Sequence, residues 1–178
     1  MLLKLLMRNL RKEIMKNKTT HQIHELNPVY DSNSEILILG SFPSVLSREV
    51  SFYYGNPKNR FWMVLSKIYD EEIPNDISSK KSFLLNHNIA LWDVVQSCDI
   101  CGSSDSTIKN IIPVYLTIIL EQTNIKKIYV NGKTAFNLYY KYLYPIYHQD
   151  AILLPSTSPA NAAYSLDLLY DKWSVIKN

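Results

Sequence analysis

The sequence is poor in cysteine and has no long apolar run. Only Cys98 and Cys101 are present, so one chain cannot supply the four thiolates of an iron–sulfur cluster. Their C-x-x-C spacing offers two ligands for a metal, but no further ligands of suitable spacing are apparent. We therefore expect ordinary thiols in a reducing cytoplasm and no bound metal. No apolar stretch approaches the ~20 residues of a transmembrane helix, so no membrane span is predicted.

Nucleotide-binding signatures are also missing. Neither G-x-G-x-x-G nor G-x-x-x-x-G-K-S/T occurs among the four glycines, which argues against a dinucleotide or nucleoside triphosphate. We expect the protein to work without a cofactor. The length of 178 residues and the apolar share of 47% favour a single domain with one sizeable core.

Positive charge is concentrated at the N-terminus. Residues 1–18 carry a net charge of +5 and the whole chain carries +3, so the rest is slightly acidic at −2. We interpret residues 1–23 as a poorly ordered basic extension and residues 24–178 as one domain, and a start at Met15 stays open. Overall charge therefore does not indicate a polyanionic partner. Arg48, Lys58 and Arg60 cluster in one loop, where they form either a local positive field or a solvated surface.

Apolar runs and amphipathic segments alternate along the chain. Runs such as Ile36–Leu39 lack polar alternation, which is typical of strands buried on both faces of a parallel sheet. The pattern predicts an α/β fold, a three-layer αβα sandwich around a central four-stranded, mostly parallel sheet. The predicted strands are Glu35–Leu39, Ile89–Asp93, Lys127–Asn131 and Ala151–Leu154, and the predicted helices are Asn59–Tyr69, Ser78–Asn86, Thr107–Thr123, Lys133–Tyr142 and Ser165–Ile176.

The carboxyl ends of the predicted strands are the expected position of a site, because open α/β sheets bind ligands there. The first strand runs into the turn GSFPS, residues 40–44. Gly40 permits close approach of a ligand, and the amides of Ser41 and Phe42 are placed to donate to a carbonyl or an oxyanion. An isolated GSFPS is also compatible with an ordinary strand-to-turn transition.

A second segment, FYYGNPKNRFW at residues 52–62, interleaves aromatic rings with Asn, Lys and Arg. It combines stacking faces, amide hydrogen bonds and phosphate contacts in one loop, a mixture that suits a nucleobase. The alternative is that Phe61 and Trp62 are the first core residues of a helix capped by Asn59.

Four separated blocks carry a family resemblance: GSFPS, then YYGNPKNRFW, then ALWDVVQSC with GSSDSTI, and finally LPSTSPAN. In this order they resemble the uracil-DNA glycosylase superfamily, most closely its hypoxanthine-DNA glycosylase branch, from about Pro28 to Trp173. The resemblance implies a monofunctional glycosylase of base excision repair that removes deaminated bases from DNA, namely hypoxanthine and also uracil or xanthine. We expect a cytoplasmic monomer.

The resemblance also implies a catalytic residue. Most of the superfamily has Asp or Asn at the third position of the first block, where it activates water, whereas this sequence has Phe42, which cannot accept a proton. The hypoxanthine branch shares that departure, and its important Asn matches Asn59. We predict that the Asn59 amide oxygen positions the water. Because an amide is not a strong base, donors to the leaving base must carry much of the catalysis.

Further roles follow from the same resemblance. Phe61 matches the aromatic residue that stacks on the extruded base, and Asp93 lies where the base edge is read. A carboxylate only accepts hydrogen bonds, so Asp93 suits the ring N–H of hypoxanthine, uracil or xanthine and repels the bare ring acceptor of adenine. A capping or turn role for Asp93 stays open. Asp105 and Ser106 match the branch pattern without an assigned role. The predicted DNA-binding residues are Ser44, Lys58, Arg60, Ser156, Ser158 and Asn161.

Two alternatives to a hypoxanthine glycosylase stay open. One is an enzyme of the same fold that prefers uracil or mispaired thymine. The other is an αβα protein that binds nucleic acid or phosphate esters without excising a base.

Overall fold

Strands and helices alternate along most of the chain. In the computed structural model, which describes residues 19–73, 75–102 and 104–177, they are in chain order β1 (Thr19–Ile23), β2 (Ile36–Gly40), α1 (Val45–Glu49), α2 (Phe61–Tyr69), α3 (Ile77–Asn86), β3 (Ile89–Asp93), β4 (Val95–Cys101), β5 (Lys109–Pro113), α4 (Thr117–Leu120), β6 (Lys127–Asn131), α5 (Lys133–Leu138), α6 (Tyr144–Tyr147), β7 (Ala151–Leu154) and α7 (Leu166–Trp173). A π-helical turn, Tyr139–Leu143, joins α5 to α6, and 3-10 turns cover Asp105–Thr107 and Ser174–Lys177. In this part of the chain, no helix has the length and hydropathy that a bilayer crossing requires.

The central sheet consists of the four predicted strands. They lie in the order β3-β2-β6-β7, and each neighbouring pair is parallel. Leu37, Ile38 and Leu39 of the central strand β2 are completely buried, as expected when helices cover both faces of the sheet. The predicted αβα sandwich is confirmed, and the carboxyl ends of the four strands share one edge.

A second sheet was not predicted. It is antiparallel, with the strand order β1-β4-β5. Strand β4 begins only two residues after Asp93, and the amides of Val94 and Val95 donate to the carbonyls of Gly40 and Ser41 at 2.9 and 3.1 Å. This sheet therefore packs against the edge where the predicted site lies.

Helix starts follow ordinary capping chemistry. Ser44, Asp76 and Ser165 precede α1, α3 and α7, and each side-chain oxygen accepts the amide of the residue three positions later. Such caps satisfy one of the amides that a helix start leaves without an intrahelical partner. Helix α2 differs, because the side chain of its N-cap residue, Arg60, accepts no capping hydrogen bond from a backbone amide.

Two predicted features need correction. Residues 19–23, assigned to the basic extension, form β1 and pair with β4; residues 1–18, including Met15, lie outside the described residues. The predicted helix Thr107–Thr123 is instead a 3-10 turn, β5 and the short helix α4. Pro113 explains the break, since proline cannot donate within a helix and restricts the preceding residue to extended conformations.

The cysteines have no apparent metal partners. Among the described residues, no group of three or more His, Cys, Asp or Glu side chains is arranged to hold a metal ion. Cys98 is completely buried, and burial raises the pKa of its thiol to about 11, against the opposing effect of Arg48. It is therefore a protonated core thiol at neutral pH.

Candidate active site

A cleft of ≈ 940 Å³ lies at the carboxyl edge of the parallel sheet. Its walls come from the ends of all four strands and from the loops that follow them. This size and position are typical of ligand sites in α/β proteins. The predicted site residues that line it are Ser41, Phe42, Ser44, Asn59, Asp93, Ser156, Ser158 and Asn161. Lys58, Arg60 and Phe61 are not part of its wall.

Gly40 and Asp93 form one end of this cleft. They are paired across β2 and β3, and a Cβ atom added to Gly40 would lie 2.2 Å from Asp93 Oδ1 and 3.2 Å from the Tyr54 hydroxyl. Only glycine leaves room for the carboxylate at this point. The absence of a side chain at Gly40 therefore sets the position of Asp93.

Asp93 is buried, with 4% exposure. Its Oδ2 atom lies 2.8 Å from Nε2 of His24, which is also buried. Burial of a carboxylate is costly unless it receives hydrogen bonds, and His24 supplies one. The sequence alone did not indicate this role of His24. The Asp93 side chain is bonded to His24, lies beside Gly40 and lines the cleft.

A second carboxylate, that of Asp105, lies in the same cleft. The Ser41 hydroxyl donates to Asp105 Oδ2 at 2.8 Å. Loss of hydration in the cleft raises the Asp105 pKa above its ordinary value, the Ser41 hydrogen bond opposes that shift, and the negative charge of Asp93 adds to it. Ser41 therefore links the first loop to the residue whose role the sequence left unassigned.

Asn59 lies at the cleft wall just before helix α2. Its side-chain Oδ1 atom accepts a hydrogen bond from the backbone amide of Phe61 at 3.0 Å. Its backbone amide donates to the Asn56 carbonyl at 2.8 Å. Asn59 thus caps the helix start that Arg60 leaves without a side-chain bond. A carbonyl oxygen accepts two hydrogen bonds, so one lone pair remains for a water molecule in the cleft.

Phe61 is covered by Tyr54. Phe61 is completely buried, and the two rings stack with centroids 3.9 Å apart. Tyr54 lines the cleft and Phe61 does not, which differs from the prediction that Phe61 stacks on the base. Phe61 instead packs at the start of α2, as the alternative interpretation held. The first of these rings to meet a ligand is therefore Tyr54.

Arg60 also differs from its predicted role. Its guanidinium donates to backbone carbonyls of the segment that follows β7: Thr157 at 3.3 Å, Ser158 at 2.6 Å, Asn161 at 3.0 Å, and Tyr164. Its backbone amide also donates to the Thr157 carbonyl, at 3.1 Å. These bonds engage four of the five guanidinium N–H donors, which leaves one for a phosphate. The Arg60 side chain organises a loop from within.

The segment Pro155–Asn161 is further held by Asn131 at the end of β6. Asn131 Nδ2 donates to the Thr157 hydroxyl at 2.9 Å and to the Tyr54 hydroxyl at 3.0 Å, and its Oδ1 accepts the Thr157 amide at 3.0 Å. Burial raises the Tyr54 pKa well above its usual range, and the nearby Asp93 adds to the effect. The phenol therefore stays neutral. Asn131 joins the loop to the cleft wall.

Within that segment, several polar side chains bond to its own backbone. Ser156 and Ser158 hydroxyl oxygens accept the amides of Ser158 and Ala160, both at 3.2 Å, and Asn161 Nδ2 donates to the Ser156 carbonyl at 2.9 Å. A serine oxygen that accepts a hydrogen bond keeps its proton for another partner. Ser156 and Ser158 thus present donors on a preorganised turn.

Positive charge is found at the cleft margin. Lys133 and Lys172 line it, whereas Lys58 is exposed on the neighbouring loop. Lys133 and Lys172 belong to none of the four sequence blocks and were not predicted as site residues. Together with the serines of the last loop, these side chains give the cleft a margin that can bind anionic groups.

Comparison with known proteins identifies the family of this chain. The family model of the Uracil DNA glycosylase superfamily matches residues 28–175. The chain belongs to this superfamily. As a superfamily member it is a DNA glycosylase, a hydrolase that acts on N-glycosyl bonds. The predicted resemblance and enzyme class are confirmed.

Individual relatives support the same assignment. A hypoxanthine DNA glycosylase from Methanosarcina barkeri is 35% identical over 136 residues, which are 75% of this chain and 85% of the relative. One from Methanosarcina acetivorans is 37% identical over 139 residues, 77% and 87% of the two chains. The solution NMR structure of a candidate uracil DNA glycosylase from Methanosarcina acetivorans superposes with a TM-score of 0.73 at 32% identity, covering 88% of this chain and 98% of that one.

Proposed function

We propose that this glycosylase removes deaminated bases, hypoxanthine foremost and also uracil or xanthine, from DNA in base excision repair. One observation carries the proposal: the hydrogen-bond acceptor of Asp93, the Ser41–Phe42 loop and the amide of Asn59 line a single cleft. A superfamily relationship and two relatives named hypoxanthine DNA glycosylase support it.

Base selection rests on Asp93. Its carboxylate accepts but does not donate hydrogen bonds, so it binds the ring N–H that deamination of adenine creates. Adenine offers a bare ring nitrogen at the same position, and two acceptors facing each other inside a cleft repel. Tyr54 supplies the aromatic face for the extruded base. Because uracil and xanthine also carry ring N–H groups, this recognition extends to them.

Bond cleavage then depends on charge stabilisation. As the N-glycosyl bond breaks, its electron pair passes to the base and the sugar becomes positive. The backbone amides of Ser41 and Phe42 donate to the base carbonyl; loss of one such donor costs about 3 kcal/mol of transition-state stabilisation.

Asn59 positions the water. Its Oδ1, held in place by the Phe61 amide, accepts a hydrogen bond from a water molecule beneath the sugar. The water adds its oxygen to the sugar carbon, and its proton is lost to the solvent or to the released base. No covalent enzyme intermediate is needed, so the reaction is monofunctional.

DNA is held at the cleft margin. We assign phosphate contacts to Ser44, Ser156, Ser158, Lys58 and, as additions, Lys133 and Lys172. Asn161 acts within the loop through its bond to the Ser156 carbonyl. The turn is already ordered by Arg60 and Asn131, so little entropy is lost on binding. We propose that the glycosylase acts as a monomer.

The test is excision from synthetic duplexes that contain one deoxyinosine, deoxyuridine, deoxyxanthosine or mispaired thymidine, with deoxyadenosine as the control. We expect alkali-sensitive strand breaks with the deaminated bases and none with adenine. Activity on uracil and mispaired thymine without activity on inosine would favour the uracil-type alternative. Intact strands from every duplex would contradict the proposal.

A further inference from the structure

A buried histidine from outside the family-matched segment contacts the base-reading residue. His24 precedes residues 28–175, which the superfamily model matches, and it does not line the cleft. Its side chain is completely buried and its Nε2 lies 2.8 Å from Asp93 Oδ2. A polar ring placed in this way must have a defined set of hydrogen bonds.

The backbone fixes His24 from the second sheet. The residue directly follows β1, its amide donates to the Gln96 carbonyl at 2.7 Å, and the Gln96 side chain donates back to the His24 carbonyl at 3.1 Å. The antiparallel sheet, which was not predicted, therefore places the His24 imidazole next to Asp93, the last residue of β3.

The surroundings of the ring determine its tautomer. The rings of Phe42, Tyr53 and Trp92 lie around it, with centroids 6.0, 6.1 and 6.5 Å away. Nδ1 is buried and has no hydrogen-bond partner among the described residues. A proton on Nδ1 would be a buried donor without an acceptor, whereas a proton on Nε2 is accepted by Asp93. The contacts therefore favour the neutral tautomer with the proton on Nε2.

We propose that His24 is a positioning residue for base recognition: its Nε2–H bond to Asp93 Oδ2 fixes the carboxylate so that Oδ1 stays over Gly40 as the acceptor for the base. Without this bond, Asp93 Oδ2 loses its hydrogen bond to His24, and the carboxylate is no longer held in this orientation. The inference rests on the proposed role of Asp93 in base selection.

The experiment compares two variants of His24. His24→Phe keeps an aromatic ring in the aromatic surroundings and removes the donor, whereas His24→Gln keeps an N–H donor near the Nε2 position. We expect His24→Phe to lower single-turnover excision of hypoxanthine roughly 10- to 100-fold with little change in the Kd for DNA, and His24→Gln to restore most of the rate.

A matched control exists on strand β1, directly before His24. His21 Nδ1 lies 2.8 Å from Asp99 Oδ1, the same type of pair on the exposed side of the second sheet. We expect His21→Phe to leave excision unchanged. We also expect the loss in His24→Phe to vanish in an Asp93→Ala background, because the proposed role acts only through Asp93.

NMR spectroscopy of the wild-type protein tests the inference even if a His24 variant does not fold. In ¹⁵N-labelled wild-type protein, the His24 ring should show the Nε2-protonated neutral form, and Asp93→Asn should shift its signals. An Nδ1-protonated ring, wild-type excision by folded His24→Phe, or an equal loss in the Asp93→Ala background would overturn the inference. Wild-type protein that excises no deaminated base would instead contradict the proposed function.

Discussion

Tyr54 lies flat against Phe61, with an interplanar angle of 20° between the two rings. This contact decides which aromatic side chain a nucleobase meets. Tyr54 is also fixed by the bond from Asn131 to its hydroxyl, so it presents a rigid ring that loses little entropy when a base stacks on it.

Tyr54→Leu should therefore weaken excision. A base that stacks on an aromatic side chain gains about 1–3 kcal/mol, so we expect a roughly 10- to 100-fold loss in kcat/KM on inosine duplexes. Tyr54→Phe, which keeps the ring, should retain most of the activity. Phe61→Leu should instead lower the thermal stability, and an activity loss in that variant without loss of stability would favour Phe61 as the stacking residue.

Substitutions of Arg60 and Lys58 should have different effects on the salt dependence of DNA binding. Arg60→Met removes donors to four backbone carbonyls. We expect a stability loss of about 2 kcal/mol with an unchanged slope of log Kd against log salt concentration. Lys58→Met should leave the melting temperature unchanged and reduce the slope by about 1. The reverse pattern would show that Arg60 binds phosphate.

Gly40→Ala should act through Asp93. The added Cβ would lie 2.2 Å from Asp93 Oδ1, so the carboxylate must move away from its position in the cleft. We expect a loss of hypoxanthine excision of at least about 100-fold, as misplacement of a recognition group by 1 Å can produce. In an Asp93→Ala background the same substitution should add little, and a full additional loss there would contradict this explanation.

Asp105→Asn should stabilise the protein near neutral pH. The Asp105 pKa is raised in the folded state, so its ionisation opposes folding above that pKa, and this effect disappears once the pH falls below the ordinary Asp value of about 3.9. The residue as a whole is exposed, although its carboxylate is partly shielded by the contact with Ser41, so the gain should stay below about 1 kcal/mol. Urea denaturation at pH 7 and pH 3.5 would measure it. A larger gain in the free energy of unfolding at pH 3.5 than at pH 7 would contradict this prediction.

The sequence predicted the parallel sheet because runs such as Ile36–Leu39 and Ile89–Trp92 are apolar throughout, a pattern with few competing interpretations. The second sheet was missed because β1 and β4 mix polar and apolar residues, and because its partners are distant in sequence. The run around Pro113 was assigned to a helix on its apolar content. Pro113 argues against that helix, because proline disrupts the interior of a helix.

The cleft contains Ser41, Asn59 and Asp93. The positions of Ser41 and Asp93 were predicted because both residues follow apolar strands. The roles of Asn59 and Asp93 were implied by the family resemblance. His24 and Asp105 depend on tertiary contacts with partners 69 and 64 positions away, which no local pattern reveals. Arg60 was assigned to phosphate from its charge alone, whereas its contacts are with carbonyls.

The most direct test of the account is single-turnover release of hypoxanthine from a deoxyinosine duplex by wild-type protein and Asn59→Ala. Asn59→Asp serves as the control, since it keeps the oxygen that accepts the Phe61 amide. We predict that Asn59→Ala stays folded, binds the duplex with an unchanged Kd and releases the base at least about 100-fold more slowly, while Asn59→Asp stays active. A wild-type release rate in folded Asn59→Ala would contradict the account.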